Sequence, residues 1–270
     1  MKRAVFHYEI EELAPYIDWD YFFHAWGLSG SDKKSLAMQE IKHDAETVLK
    51  EMNGRDRTHA LFALCDARSE GENIVIEKKR LPLLRQQHTL EGKPNLCLSD
   101  FISPQNDKVG LFATSTDASF GSEYCNDIYK SLIVQILADR LAEAAATVMH
   151  RTVRTDGNLW GYAHDENLTI KELHQEKNQG IRPAVGYPSL PDQSIIFLID
   201  ELLKVSDISI ELTPNGAMFP HASVCGLMLS HPAAHYFAVG KISTEQLSDY
   251  AVRRGLPADE LSKFLSKNLE

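Results

Sequence analysis

The order of strand-like and helix-like segments constrains what this chain can fold into more than any other feature of its sequence. Short apolar runs at residues 60–64, 73–77 and 109–113 read as strands, and a second group falls at 208–212, 223–230 and 236–242. Between the groups lies one long helical pattern, from Glu123 to Val153. Its apolar residues Ile128, Leu132, Ile133, Ile136, Leu137, Leu141 and Ala144 follow a 3.6-residue period. Strands that cluster, instead of alternating with helices, argue against parallel βαβ winding. The expected fold class is α+β, with a central antiparallel sheet and flanking helices. No internal repeat and no linker rich in Gly, Ser or Pro divides the chain, so residues 1–270 are expected to form a single domain.

Capping signals set the remaining helices. Ser31 is the expected cap of a helix running to about Met52, after an aromatic cluster at residues 16–26. Thr169 and Glu172 have capping-box spacing and open a short helix with Glu176 near its end. Asp192 is the expected N-cap of a helix over 194–204, and residues 231–235 are expected to join the last two strands as a hairpin. Ser243 and Gln246 open a further helix. Pro257, after Gly255, suits the first position of the last one.

Composition excludes several functions. A net charge of −10, with only short basic runs at Lys78-Lys-Arg80 and Arg253-Arg254, argues against a nucleic-acid surface. No apolar run approaches the roughly 18 residues that a membrane helix needs. The start turns acidic by Glu9 without an apolar signal core, so a cytoplasmic protein is expected. Cys65, Cys97, Cys125 and Cys225 are scattered, which suits reduced and mostly buried thiols. His231 and His235 flank a turn containing Pro232 without a further ligand beside them, so no metal site is expected. Gly27-Leu-Ser-Gly30 lacks the third glycine of a dinucleotide fingerprint, and no phosphate loop, nucleophile elbow or H-E-x-x-H pair occurs.

Residues 178–192 stand out chemically. They hold two glycines and three prolines around Arg182 and Tyr187, between two helical segments. Prolines fix φ and glycines allow tight turns, so this stretch is built to keep a shape. From the residues alone it is either a stiff interhelical connection or a frame for a ligand.

Within that stretch, Arg182-Pro-Ala-Val-Gly-Tyr187 resembles the Arg-x-x-x-Gly-Tyr motif of the activation domain of cobalamin-dependent methionine synthase. The similarity runs along the chain in family order. Tyr16-Ile-Asp-Trp19 with Trp26 comes first, then Leu84-Arg-Gln-Gln87, Asn95-Leu-Cys-Leu-Ser-Asp-Phe101 and Leu137-Ala-Asp-Arg-Leu-Ala-Glu-Ala144. Trp160-Gly-Tyr162, Phe219-Pro-His-Ala-Ser-Val224 and Ser230-His-Pro232 complete it.

The resemblance implies a domain that binds S-adenosylmethionine and supplies its methyl group for reductive methylation of cob(II)alamin, with an electron from flavodoxin or a similar donor. The positions implied as ligand contacts are Asp18, Glu143, Glu176, Arg182, Ala184, Gly186, Tyr187 and Tyr236. No residue is implied in proton transfer. Chemically, an arginine suits the ligand carboxylate, acids suit its ammonium, sulfonium and ribose, backbone around Ala184 and Gly186 suits adenine, and aromatic rings suit the positive sulfur.

Two departures from the family are visible. Its paired tyrosines read Tyr236-Phe237 here. The cobalamin motif Asp-x-His-x-x-Gly has Phe22 in place of the aspartate before His24 and Gly27, so cobalamin is expected only on a separate synthase chain. The leading expectation is a free-standing reactivation protein acting in trans. Its rival is a sensor or interaction protein that keeps the pocket and has lost methyl transfer, and an unrelated enzyme with a convergent loop is the remaining alternative.

Overall fold

The computed structural model describes residues 1–28, 36–89 and 92–270. The chain begins with β1 (Lys2–Glu9), α1 (Ile10–Leu13), α2 (Trp19–Ala25) and α3 (Leu36–Met52). Next come β2 (Arg57–Glu70), β3 (Asn73–Ile76), β4 (Lys79–Pro82), β5 (Asp107–Thr116) and the long α4 (Ile128–Thr155). The second half holds α5 (Ile170–His174), α6 (Ile195–Leu203), β6 (Glu211–Leu212), β7 (Met218–Phe219), β8 (Ser223–Met228), α7 (Thr244–Arg254) and α8 (Ala258–Phe264).

The main sheet has the order β4-β3-β2-β5-β8, with β1 also on β2, and every pairing is antiparallel. β2 is long enough to serve two neighbours on one edge: β1 pairs with residues 57–64 and β3 with residues 67–70, while β5 runs along the other edge. Alternation along β2 divides its side chains between two cores. Leu61, Ala63, Cys65 and Ala67 pack with Ile195, Ile196, Ile199 and Leu203 of α6. Ala60, Phe62 and Leu64 pack with Ala142, Ala146, Met149 and Val153 of α4. Full burial of a ring such as Phe62 or Phe112 contributes about 2 kcal/mol. The mixed α+β class with an antiparallel sheet is therefore the one the sequence implies.

α4 is covered on a second stripe as well. Ile133, Leu137, Leu141 and Ala145 join the cluster built by α1, α2 and α3. Two sheet hydroxyls fix its height on β5, Thr114 Oγ1 donating to Ala142 O at 2.9 Å and Thr116 Oγ1 to Ala138 O at 3.1 Å. Between the apolar stripes, one polar stripe containing Arg140, Glu143 and Thr147 remains for the cavity described below.

Residues 181–185 lie antiparallel along the outer edge of β8, beyond the role of an interhelical connection. Ile181 N donates to Leu229 O at 3.0 Å, Leu229 N returns to Ile181 O at 2.9 Å, Leu227 N donates to Pro183 O and Val185 N to Cys225 O. So close an approach requires Gly226, where any Cβ would collide with Pro183 O and the Ala184 backbone.

This pairing overturns the expected hairpin. β8 has β5 on one edge and residues 181–185 on the other, so residues 236–242 find no free edge on β8. They run as irregular chain, with Val239 and Ile242 buried and Val239 N donating to Pro188 O at 2.9 Å. The expected strand over 208–212 shrinks to β6, because Val205–Ile208 is a 3-10 turn that ends at Ser209 with φ 60°. β1, β4 and β7 are strands that the apolar runs did not signal.

Helix boundaries differ in detail. α4 starts at Ile128 with Asp127 as its cap, five residues after Glu123. Ser194, and not Asp192, is the N-cap residue of α6; the Asp192 carboxylate accepts from Ser194 N and Oγ instead. Pro257 is the N-cap residue of α8, one place before its first turn. Thr169 makes both halves of its capping box. Ser243 Oγ accepts from Gln246 N, while the Gln246 side chain bonds Arg85 O. Ser31 lies outside the described residues. Cys65, Cys97 and Cys225 are buried free thiols and Cys125 is exposed. Among the described residues no helix is long and apolar enough to cross a membrane.

Candidate ligand-binding site

A cavity of about 780 Å³ opens between α4, the segment after β1, the end of α5, and the loop on β8. Tyr16, Asp18 and Tyr21 form one wall, and Arg140, Glu143, Ala144 and Thr147 of α4 form the next. Residues 173–176, 182–184, 187–189 and 236–238 close it, over a floor containing Phe112 and Val224. Its walls come from four regions far apart in sequence, around residues 16–21, 140–147, 173–189 and 236–238.

Seven of the eight implied ligand residues meet here: Asp18, Glu143, Glu176, Arg182, Ala184, Tyr187 and Tyr236. Gly186 does not line the cavity. Its N–H is taken by Leu190 O at 2.9 Å, its φ is 83°, and a Cβ there would collide with Gln193 Oε1, so it serves as a turn residue. Ala184 differs, since its backbone N–H has no hydrogen-bond partner among the described residues. Its carbonyl accepts from Tyr187 N at 3.2 Å.

Arg182 is held at both ends. Its backbone N–H donates to Tyr236 Oη at 3.0 Å, and Nη2 donates to Thr147 Oγ1 at 3.0 Å. Glu143 Oε2 stands 3.8 Å from the same nitrogen, and Tyr187 Oη donates to the other carboxylate oxygen at 3.2 Å. The Tyr236 hydroxyl thus supports the arginine's backbone. Burial holds the Tyr236 phenol above its ordinary range, with Arg182 opposing. Burial pushes the Tyr187 phenol up to about 12, helped by the Glu143 charge and hydrogen bond.

The acids are presented in three different ways. Asp18 caps α2, with Oδ1 accepting from Asp20 N at 3.0 Å and Tyr21 N at 3.4 Å. Glu143 stands on the polar stripe of α4. Glu176 follows α5 in the left-handed region, at φ 54°. Burial raises its carboxyl above the ordinary value, and Arg182 pulls it back. Arg140, beside the Tyr21 ring at 5.8 Å, adds a second cation at the wall.

Sequence reasoning missed Thr147, Arg140, Tyr16 and His174. A usable signal existed for the first two, because positions 140, 143 and 147 share one helix face by their 3 and 4 spacing. Tyr16 and His174 had none, since they meet only through the bond of His174 Nε2 to Tyr16 O at 3.1 Å. Among the described residues no cluster of three or more His, Cys, Asp or Glu could hold a metal.

One oriented guanidinium, three carboxylates and aromatic walls give the cavity groups complementary to a small zwitterion with an aromatic portion. The family model of the vitamin B12 dependent methionine synthase activation domain matches residues 9–255, and the chain belongs to that family. Its fold is similar to that of the MetH reactivation domain in a crystal structure bound to AdoHcy. The TM-score is 0.92 at 35% identity, covering 100% of this chain and 90% of that one.

Proposed function

We propose that this chain binds S-adenosylmethionine in the cavity and supports reductive methylation of cob(II)alamin carried by a separate methionine synthase chain. Residues 1–270 act as one unit in this reading. The observation that carries it is the meeting of Arg182 with Asp18, Glu143 and Glu176 around one cavity, in a relative of a domain bound to AdoHcy. The residues fit the ligand's chemistry. The guanidinium N–H groups of Arg182 suit the carboxylate, and the acids suit the ammonium, sulfonium and ribose hydroxyls. The Ala184 N–H, without a partner among the described residues, suits an adenine nitrogen, and Tyr187 offers a ring face to positive sulfur.

S-adenosylmethionine supplies an electrophilic methyl group. With one electron from a flavodoxin-type donor, that methyl converts cob(II)alamin to methylcobalamin and leaves S-adenosylhomocysteine. This chain's part is positioning, which by itself can lower a barrier by several kcal/mol. What supports cobalamin on a separate chain is Phe22, which stands where the cobalamin motif has its aspartate and is fully buried among α1 to α4.

The test is to mix the protein with a cobalamin-loaded synthase lacking its activation region, then add S-adenosylmethionine and an electron source. Loss of cob(II)alamin absorbance with formation of methylcobalamin is expected. Persistence of cob(II)alamin, with S-adenosylmethionine still bound, would assign the protein to sensing.

A further inference from the structure

We infer that Thr147 is a positioning residue for Arg182, and that it sets selectivity for ligands with an amino-acid tail over nucleosides without one. The inference deepens the proposed function and rests on that reading of the cavity. Thr147 follows Glu143 by one helical turn of α4, and its Oγ1 donates to Glu143 O at 3.0 Å. That bond commits the only hydroxyl proton, so Oγ1 faces Arg182 as an acceptor. It takes Nη2 at 3.0 Å.

A neutral acceptor is suited to this task. A carboxylate at the same distance would hold the guanidinium more firmly, yet it would compete with the incoming carboxylate of the ligand. Glu143 stands further off, at 3.8 Å, and shares its charge with the Tyr187 hydroxyl. The other N–H groups of Arg182 have no hydrogen-bond partner among the described residues, which leaves them for the ligand. Below this pair, buried His150 is held neutral by burial and by the charges of Arg154 and Arg182, so it adds no competing charge. With the backbone held by Tyr236 and the tip by Thr147, the long side chain is restrained before binding.

The test compares two probes by calorimetry: S-adenosylhomocysteine, and 5′-methylthioadenosine, which has the same nucleoside and thioether but no amino-acid tail. Thr147→Val removes the acceptor at nearly constant volume. It is expected to weaken S-adenosylhomocysteine about tenfold, a typical loss for a hydrogen bond to a charged group. Affinity for 5′-methylthioadenosine should stay within about twofold, and Thr147→Ser should restore S-adenosylhomocysteine binding. Equal losses for both probes would mark a general structural effect and overturn the inference, as would an unchanged affinity for S-adenosylhomocysteine. Failure of the unaltered protein to bind either probe would instead overturn the cavity reading, and this inference with it.

Discussion

Glu176 occupies a backbone position where a side chain is expensive, since the left-handed region costs a residue with a Cβ roughly 1 kcal/mol and a glycine little. The chain accepts that cost at the point where the carboxyl enters the cavity. Burial raises its folded pKa above the ordinary 4.5, so the folded protein holds this proton more tightly than the unfolded chain does. Two consequences of opposite sign follow. Stability from this group falls as pH rises from 4.5 through the folded value, because the charged form is then buried. Binding of a cationic ligand instead strengthens over the same window. Glu176→Gln should therefore raise the melting temperature at neutral pH while weakening S-adenosylmethionine, and calorimetry from about pH 4.5 upward should find the affinity of the variant less dependent on pH. At this scale residue type was legible in the sequence and residue place was not. Arg182 and the acids were nameable through a family motif, whereas Thr147 is one polar residue on a helix until the fold brings Arg182 to it.

The pairing of residues 181–185 with β8 is the element on which the cavity depends, because it carries Arg182 and Ala184 to the sheet edge. Pro183 accepts from Leu227 but has no N–H to return, so the ladder breaks into isolated bridges at Ile181 and Ala184. For that reason it was illegible in the sequence, where three prolines read as a connection and the strand period is absent. The misplaced strand at 236–242 has the same origin: an apolar run signals burial, but it cannot show that the edge it would pair with is taken. Capping was more legible, since a box such as Thr169 to Glu172 is local. Gly226→Ala would force a Cβ against Pro183 O and should destabilise the protein by about 1–3 kcal/mol. Hydrogen exchange should quicken at the amides of Ile181, Val185, Leu227 and Leu229, while the β1 to β2 ladder keeps its protection.

Over the whole molecule, α7 near the C-terminus stabilises the far end of the same loop. Tyr250 Oη donates to Asp192 Oδ2 at 2.7 Å, Arg254 Nη2 donates to Ser194 Oγ at 2.7 Å, and all four side chains are buried. Tyr250→Phe leaves Asp192 short of a partner and should cost about 1–3 kcal/mol, read from denaturant unfolding, with ligand affinity little changed. The antiparallel α+β class was legible at this scale because clustered strands exclude parallel winding. The cavity was not, since it exists only where residues 16–21, 140–147, 173–176, 182–189 and 236–238 come together.

Everything proposed for the cavity turns on Arg182 receiving the carboxylate of S-adenosylmethionine. Titration of S-adenosylmethionine into the unaltered protein and into Arg182→Ala, followed by calorimetry, tests it most directly. A single site is predicted, with an affinity that falls about 10- to 100-fold in the variant, the loss expected for charge-assisted hydrogen bonds. An affinity unchanged by the substitution, or no binding to the unaltered protein, would contradict it.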